Sequence, residues 1–241
     1  MANPVVPPDM SDPLDEYTNG DGAPRIVLET QGLSRWYGPV AALDRLDLVM
    51  RAGECVAMMG PNGSGKTTAA ELICGLREPT AGWARVCGHS VHQEPEAVDA
   101  RRELAFVPDT PLLYGDLSIL DHLRLVAAAH GAADEGFPER AEHLLDLLDL
   151  CERATFFPPQ LSRGMRQKTA LACALIRPYS LLVLDEPVVG LDTRSVDALA
   201  GVIHDVVAAG RAVLLLTHSD AFAARVRTRA VRIDEGRVVD L

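Results

Sequence analysis

The chain reads as an α/β fold with a mainly parallel sheet core, an antiparallel β subdomain and a helical insertion subdomain. Three observations predict this. Short apolar runs alternate with helix-like runs over most of the 241 residues, the pattern of a parallel sheet covered on both faces. The strand-like runs before Met50 have no helix between them, so they form an antiparallel apron beside the main sheet. The stretch from about Pro108 to Tyr179 is almost all helical pattern, broken by "AADEGFPE" and "FFPPQ". It reads as an insertion between two core strands.

Each element follows from local pattern. The opening "MANPVVPPDMSDPLDEYTNGDGAP" is rich in proline, glycine and acids, which predicts a disordered leader over residues 1–24. It lacks the basic start and apolar core of a signal peptide. "RIVLET" and "LDLVM" are the apron strands, and "ECVAMMG" opens the core. "TTAAELICGL" is helical. "ARVCG" and "ELAFVP" are strands. "ERAEHLLDLLDLC" sets leucines at helical spacing with acids opposite, and "RGMRQKTALACALI" and "SVDALAGVIHDVVAAG" repeat that pattern. "LLVLDEP", "RAVLLLTH", "AVRID" and "RVVDL" complete the strands.

Composition bounds the function. Apolar residues make up 48%, enough for a sizeable core, and the formal net charge is −11. That charge argues against a nucleic-acid footprint, which is usually basic. It is compatible with a partner whose cytoplasmic loops are positive. The five cysteines, Cys55, Cys74, Cys87, Cys151 and Cys173, form no C-x-x-C pair, and most lie in apolar runs. They read as buried, reduced thiols. No apolar stretch approaches the ~20 residues of a membrane helix.

The segment "GPNGSGKTT" carries the chemistry. Gly60, Gly65, Lys66 and Thr67 meet the pattern G-x-x-x-x-G-K-[ST], between an apolar strand and a helix. Glycines let backbone N–H groups turn inward, and the helix N-terminus adds its positive dipole end. The whole run, Gly60, Pro61, Asn62, Gly63, Ser64, Gly65, Lys66, Thr67 and Thr68, is therefore a phosphate cradle of the P-loop NTPase kind. Lys66 reaches for the β- and γ-phosphates, and Thr67 for Mg²⁺ through its hydroxyl. "LLVLDEP" ends in Asp185, a second Mg²⁺ contact, and Glu186, which could polarise an attacking water as general base.

With these residues in order, "LSRGMRQKTALACALIRPYSLLVLDEPVVGLD" resembles the signature segment of ATP-binding cassette (ABC) ATPases. The resemblance extends from about Ile26 to Leu241 and implies an ABC ATPase domain over residues 25–241, with a RecA-like parallel-sheet core and a helical subdomain at about 109–180. It implies roles residue by residue. Tyr37, in "RWYGPVAALD", is the aromatic that stacks on adenine. Ser162 and Gly164 contact the γ-phosphate bound by the other protomer. Gly190, Leu191 and Asp192 are the loop after the catalytic glutamate, and His218 is the switch histidine at the γ-phosphate. Catalysis thus rests on Glu186, His218 and Lys66.

Three positions depart from the family pattern. Asp109 stands where a Mg²⁺-ligating glutamine is usual. A carboxylate can ligate Mg²⁺, but it also adds negative charge near the triphosphate. Arg163 replaces a glycine, and it either supplements γ-phosphate binding or points to solvent. Met165 replaces a glutamine expected to reach the ribose. The Arg-Gly-Met-Arg-Gln-Lys form is similar to the exporter branch.

The resemblance implies an ATP- and Mg²⁺-dependent subunit, paired head to tail as a homodimer or heterodimer. It also implies a separate membrane-spanning permease, which holds the chain at the cytoplasmic face of the cell membrane. The permease would dock in the groove beside Asp109, where "PLLYGDLSILDHL" supplies apolar candidates that could equally be packed inward. The alternative is a soluble ABC-type ATPase in a process such as metal-cluster assembly. A GTPase is disfavoured because no N-K-x-D motif is present.

Overall fold

The computed structural model describes residues 24–240. The expected leader, apart from Pro24, lies outside the described residues, as does Leu241.

Two sheets form the molecule. β1 (Ile26–Tyr37) and β2 (Val40–Arg51) are a long antiparallel hairpin. β3 (Cys55–Met59) enters the second sheet and leads through the glycine loop into α1 (Lys66–Ile73). The chain then returns to the first sheet with β4 (Ala81–Val86) and β5 (His89–Ser90), giving the order β2-β1-β4-β5. The apron therefore also includes the strand read from "ARVCG", which follows a helix. Adjacency to β1 rather than the absence of helices defines it.

α2 (Glu96–Arg102) precedes β6 (Leu104–Val107). α3 (Ile119–Ala129), α4 (Phe137–Leu147) and α5 (Arg163–Leu175) follow before β7 (Leu181–Asp185). α6 (Thr193–Ala208), β8 (Ala212–Thr217), α7 (Asp220–Val226), β9 (Arg229–Asp234) and β10 (Arg237–Asp240) complete the chain. The second sheet has the order β10-β9-β3-β8-β7-β6, parallel except for β10. Thus β8 lies between the strand feeding the glycine loop and the strand ending in Asp185.

Alternation along the core strands assigns each face its cover. Leu182, Leu184, Val213 and Leu215 point into one core with α3 to α6. Leu181, Val183, Leu214 and Leu216 point the other way, into a core shared with α1 and the apron. All five residues of β7 are buried, as a strand covered on both faces must be. Each buried leucine contributes about 1.5–3 kcal/mol relative to exposure.

α2, α3 and α7 were not separately legible. α2 and α7 are seven-residue helices. α3 starts at Ser118, whose hydroxyl accepts from Asp121 N at 3.2 Å while the Asp121 carboxylate accepts from Ser118 N at 3.3 Å, a capping box. The cysteine reading needs one correction. Cys55 and Cys74 are buried and Cys87 and Cys173 are half-buried, but Cys151 is exposed. It sits in a short 3-10 turn (Cys151–Arg153) beyond the apolar face of α4. Burial pushes the Cys55 and Cys173 thiols up to about 12, so neither is a thiolate nucleophile. Among the described residues no helix is long and apolar enough to cross a membrane.

Candidate functional site

The glycine loop is held by crowding. A Cβ at Gly60 would run into Ile233 O and the Ser64 hydroxyl, and one at Gly65 into Ala42 O. Gly65 has φ 106°, a left-handed value that also excludes other residues. Gly236, in the β9–β10 turn, donates its N–H to Ser64 O at 2.9 Å and accepts from Asp44 N at 2.7 Å. The loop is thus bonded, through one glycine, to the apron strand β2.

Lys66 is 5% exposed and leads α1. Its Nζ donates to Gly60 O at 2.8 Å and Pro61 O at 3.1 Å, and lies 3.6 Å from Glu186 Oε1. Glu186 is itself buried and has φ 47°, a strained value for a non-glycine residue. Its Oε2 accepts from Thr217 Oγ1 at 3.2 Å and His218 N at 3.4 Å, and lies 2.9 Å from His218 Nδ1. One carboxylate oxygen is thereby anchored on the end of β8, and the other faces Lys66. Glu186, His218 and Lys66 meet although 120 residues separate the lysine from the glutamate in sequence. Thr217, which anchors Glu186, was missed. A hydroxyl closing an apolar strand beside His218 was its signal.

Three buried polar atoms at this place lack a hydrogen-bond partner among the described residues: Ser64 Oγ, Asp185 Oδ1 and Glu186 Oε1. Burial pushes the Asp185 carboxyl above its ordinary value. A hydrogen bond with Thr67 and the charge of Lys66 act the other way, while the charges of Glu186 and Asp109 add to the rise. No cluster of three or more His, Cys, Asp or Glu side chains forms a ready metal site among the described residues. Asp185, with the Thr67 hydroxyl bonded to it, is a donor set that fits Mg²⁺, which commonly takes one or two protein oxygens and completes its shell with phosphates and water.

The other candidates lie apart. Tyr37 is 43% exposed, with the Arg35 guanidinium 4.8 Å and the Arg77 guanidinium 5.8 Å from its ring centroid. Ser162 caps α5, accepting from Met165 N at 3.2 Å. A Cβ on Gly164 would come 2.7 Å from Gly190 O, so glycine is needed where α5 meets the turn after Glu186. Asp192 caps α6, accepting from Ser195 N at 2.8 Å. No hydrogen bond or ion pair joins Ser162 or Gly164 to residues 60–68 among the described residues. Arg163 is about half exposed, and its Nη2 pairs with Asp109 Oδ1 at 3.1 Å, a partner neither reading named. Asp109 lines an open cleft with Thr67 and Asp185, which continues past Leu112, Tyr114 and His122.

"PLLYGDLSILDHL" divides between its two readings. Leu112 is 92% and Tyr114 63% exposed, whereas Ile119 and Leu123 are buried.

A parallel sheet leading through a glycine loop into a helix, with buried carboxylates closing the mouth, defines a P-loop NTPase. The model of the ABC transporter family matches residues 43–189. The chain is 33% identical over 213 residues to the Nod factor export ATP-binding protein I of Cupriavidus metallidurans, covering 88% of this chain and 70% of that one. It is 31% identical to the ABC-type transporter ATP-binding protein EcsA of Bacillus subtilis, covering 88% and 85%. A solved structure described as the ATP-binding subunit of an ABC transporter superposes with a TM-score of 0.82 at 37% identity, covering 89% of this chain and 88% of that one. The chain belongs to the ABC transporter family, as an ATP-binding subunit with ATPase activity.

Proposed function

We propose that the chain powers an exporter by ATP-driven association of two nucleotide-binding subunits, docked on a separate membrane-spanning permease at the cytoplasmic face. The observation that carries this is the convergence of Lys66, Glu186 and His218, at 3.6 and 2.9 Å, on the mouth of the glycine loop. Export is favoured by relatives named for it, the Nod factor export protein above and the SkfA peptide export ATP-binding protein SkfE of Bacillus subtilis, 32% identical over 213 residues.

The loop N–H groups and Lys66 bind the β- and γ-phosphates. Thr67 and Asp185 would hold Mg²⁺, with Asp109 at the edge of the same cleft; the ion, when bound, neutralises charge on the phosphates. Glu186 Oε1 orients and takes a proton from the attacking water, while Oε2 stays anchored by Thr217 and His218. Tyr37 offers its exposed ring to adenine. Ser162 and Gly164 of the facing protomer complete the γ-phosphate site. Their separation from the loop within one chain supports a two-subunit site, because the donors at the head of α5 have no phosphate of their own to meet. A homodimer and a heterodimer satisfy this geometry equally. The net charge of −11 favours a protein partner over nucleic acid.

Glu186→Gln should slow hydrolysis by about 10²–10⁴ and accumulate an ATP-dependent dimer on size-exclusion chromatography. Hydrolysis at the parent rate would remove Glu186 from the role of base. Lys66→Ala should abolish ATP binding in the same preparation.

A further inference from the structure

We infer that Arg163 is a positioning residue for Asp109: its guanidinium neutralises that carboxylate at the edge of the nucleotide cleft and holds it aside, so that the two side chains act as one unit in nucleotide binding. The inference rests on the proposed nucleotide site.

Arg163 opens α5 and Asp109 leaves β6, 54 residues earlier, yet Nη2 and Oδ1 are 3.1 Å apart. The Arg163 methylenes run past Gly190, where a Cβ would lie 3.5 Å from Arg163 Cδ. A second bond, Gln167 Nε2 to Pro108 O at 3.3 Å, ties the same helix to the same loop. The arginine is therefore guided along the turn and delivered to the loop.

Charge explains why the carboxylate needs a partner. Asp109 shares its cleft with Asp185 and Thr67, and Glu186 stands beside Lys66. Three carboxylates with a single lysine would repel a nucleotide tetraanion. The Asp109 charge is felt at Asp185, where it adds to the upward push that burial begins. Arg163 supplies the second cation. Both side chains are about half exposed, so the pair is worth little to folding. Its effect falls on a charged ligand in the cleft that Asp109 lines with Thr67 and Asp185, and weakens as salt shortens the Debye length from about 10 Å at 0.1 M.

The test uses the full chain and a fluorescent N-methylanthraniloyl-ATP, titrated in EDTA at low salt against the parent, Arg163→Gln, Asp109→Asn and the double variant. Arg163→Gln should raise Kd about three- to fivefold. The double variant should return to within about twofold of the parent, and added salt should shrink the gap. Arg163→Lys, which keeps the charge, should sit near the parent and shows that the fold survives substitution. Equal weakening by Arg163→Gln with and without Asp109→Asn would overturn the inference, since Arg163 would then touch the nucleotide directly. Identical affinities in all four proteins would overturn it too. Lys66→Ala separates the two levels. If the parent binds no better than Lys66→Ala, the nucleotide site itself is wrong. If Lys66→Ala alone loses binding and the other four match, only the pairing fails.

Discussion

The glycine loop and the head of α5 are the two helix starts proposed to bind phosphate, and they are built in opposite ways. At the loop, charges are buried and already mated: Lys66 sits against Gly60 O, Pro61 O and Glu186, and glycines are wedged against carbonyls of the neighbouring sheet. At the head of α5, Ser162 and Arg163 are exposed; the Ser162 hydroxyl caps its own helix, and the Arg163 guanidinium reaches Asp109, 54 residues earlier. The difference is the one the proposed two-subunit site requires: one end organised by its own chain, the other left open at the surface.

The largest effect that tests this contrast belongs to the loop. Gly65→Ala places a methyl against Ala42 O at a left-handed φ. Overpacking of this kind costs about 1–3 kcal/mol, or roughly 3–10 °C in Tm for a domain this size. Scanning fluorimetry should show that drop, together with loss of ATP binding. A normal Tm and normal binding would mean the loop is softer than its packing implies.

Ser162→Ala should be milder. Losing the cap costs about 1 kcal/mol, a fall of roughly 2–4 °C. Binding of ATP to a single chain should be untouched, but ATP-dependent association in the Glu186→Gln background should fail. If association survives, the head of α5 is a structural cap alone.

The smallest effect on the isolated chain is expected at Leu112→Asp. The residue is 92% exposed, so stability should move by less than about 0.5 kcal/mol, and ATP binding should not change. Recovery with detergent-solubilised membranes is the sensitive readout. Undiminished recovery would remove this loop from the docking surface.

Much of the loop end was legible in sequence because its chemistry is local. Gly60, Gly65, Lys66 and Thr67 announce a cradle within eight residues, and Asp185 and Glu186 close a strand that cannot be anything but buried. His218 was legible only by its order after Glu186. The second end was harder to read. Nothing local says that Asp109 and Arg163 meet, since the contact is made by α5 folding back on the loop after β6. Opposite charges at two positions that both depart from the family pattern were the available hint. α2 and α7 escaped because seven residues hold too few turns for a period to show. The placement of β4 in the apron depended on pairing with β1, which is tertiary information.

The bonds around Gly236 fix more than a loop. Ser64 O, Gly236 and Asp44 N form one short chain of hydrogen bonds from the cradle, across the β9–β10 turn, to the hairpin of the first sheet. The Arg237 guanidinium crosses the same seam to the Asp44 carboxylate at 2.8 Å, so the hairpin of the first sheet is riveted to the second beside the cradle itself.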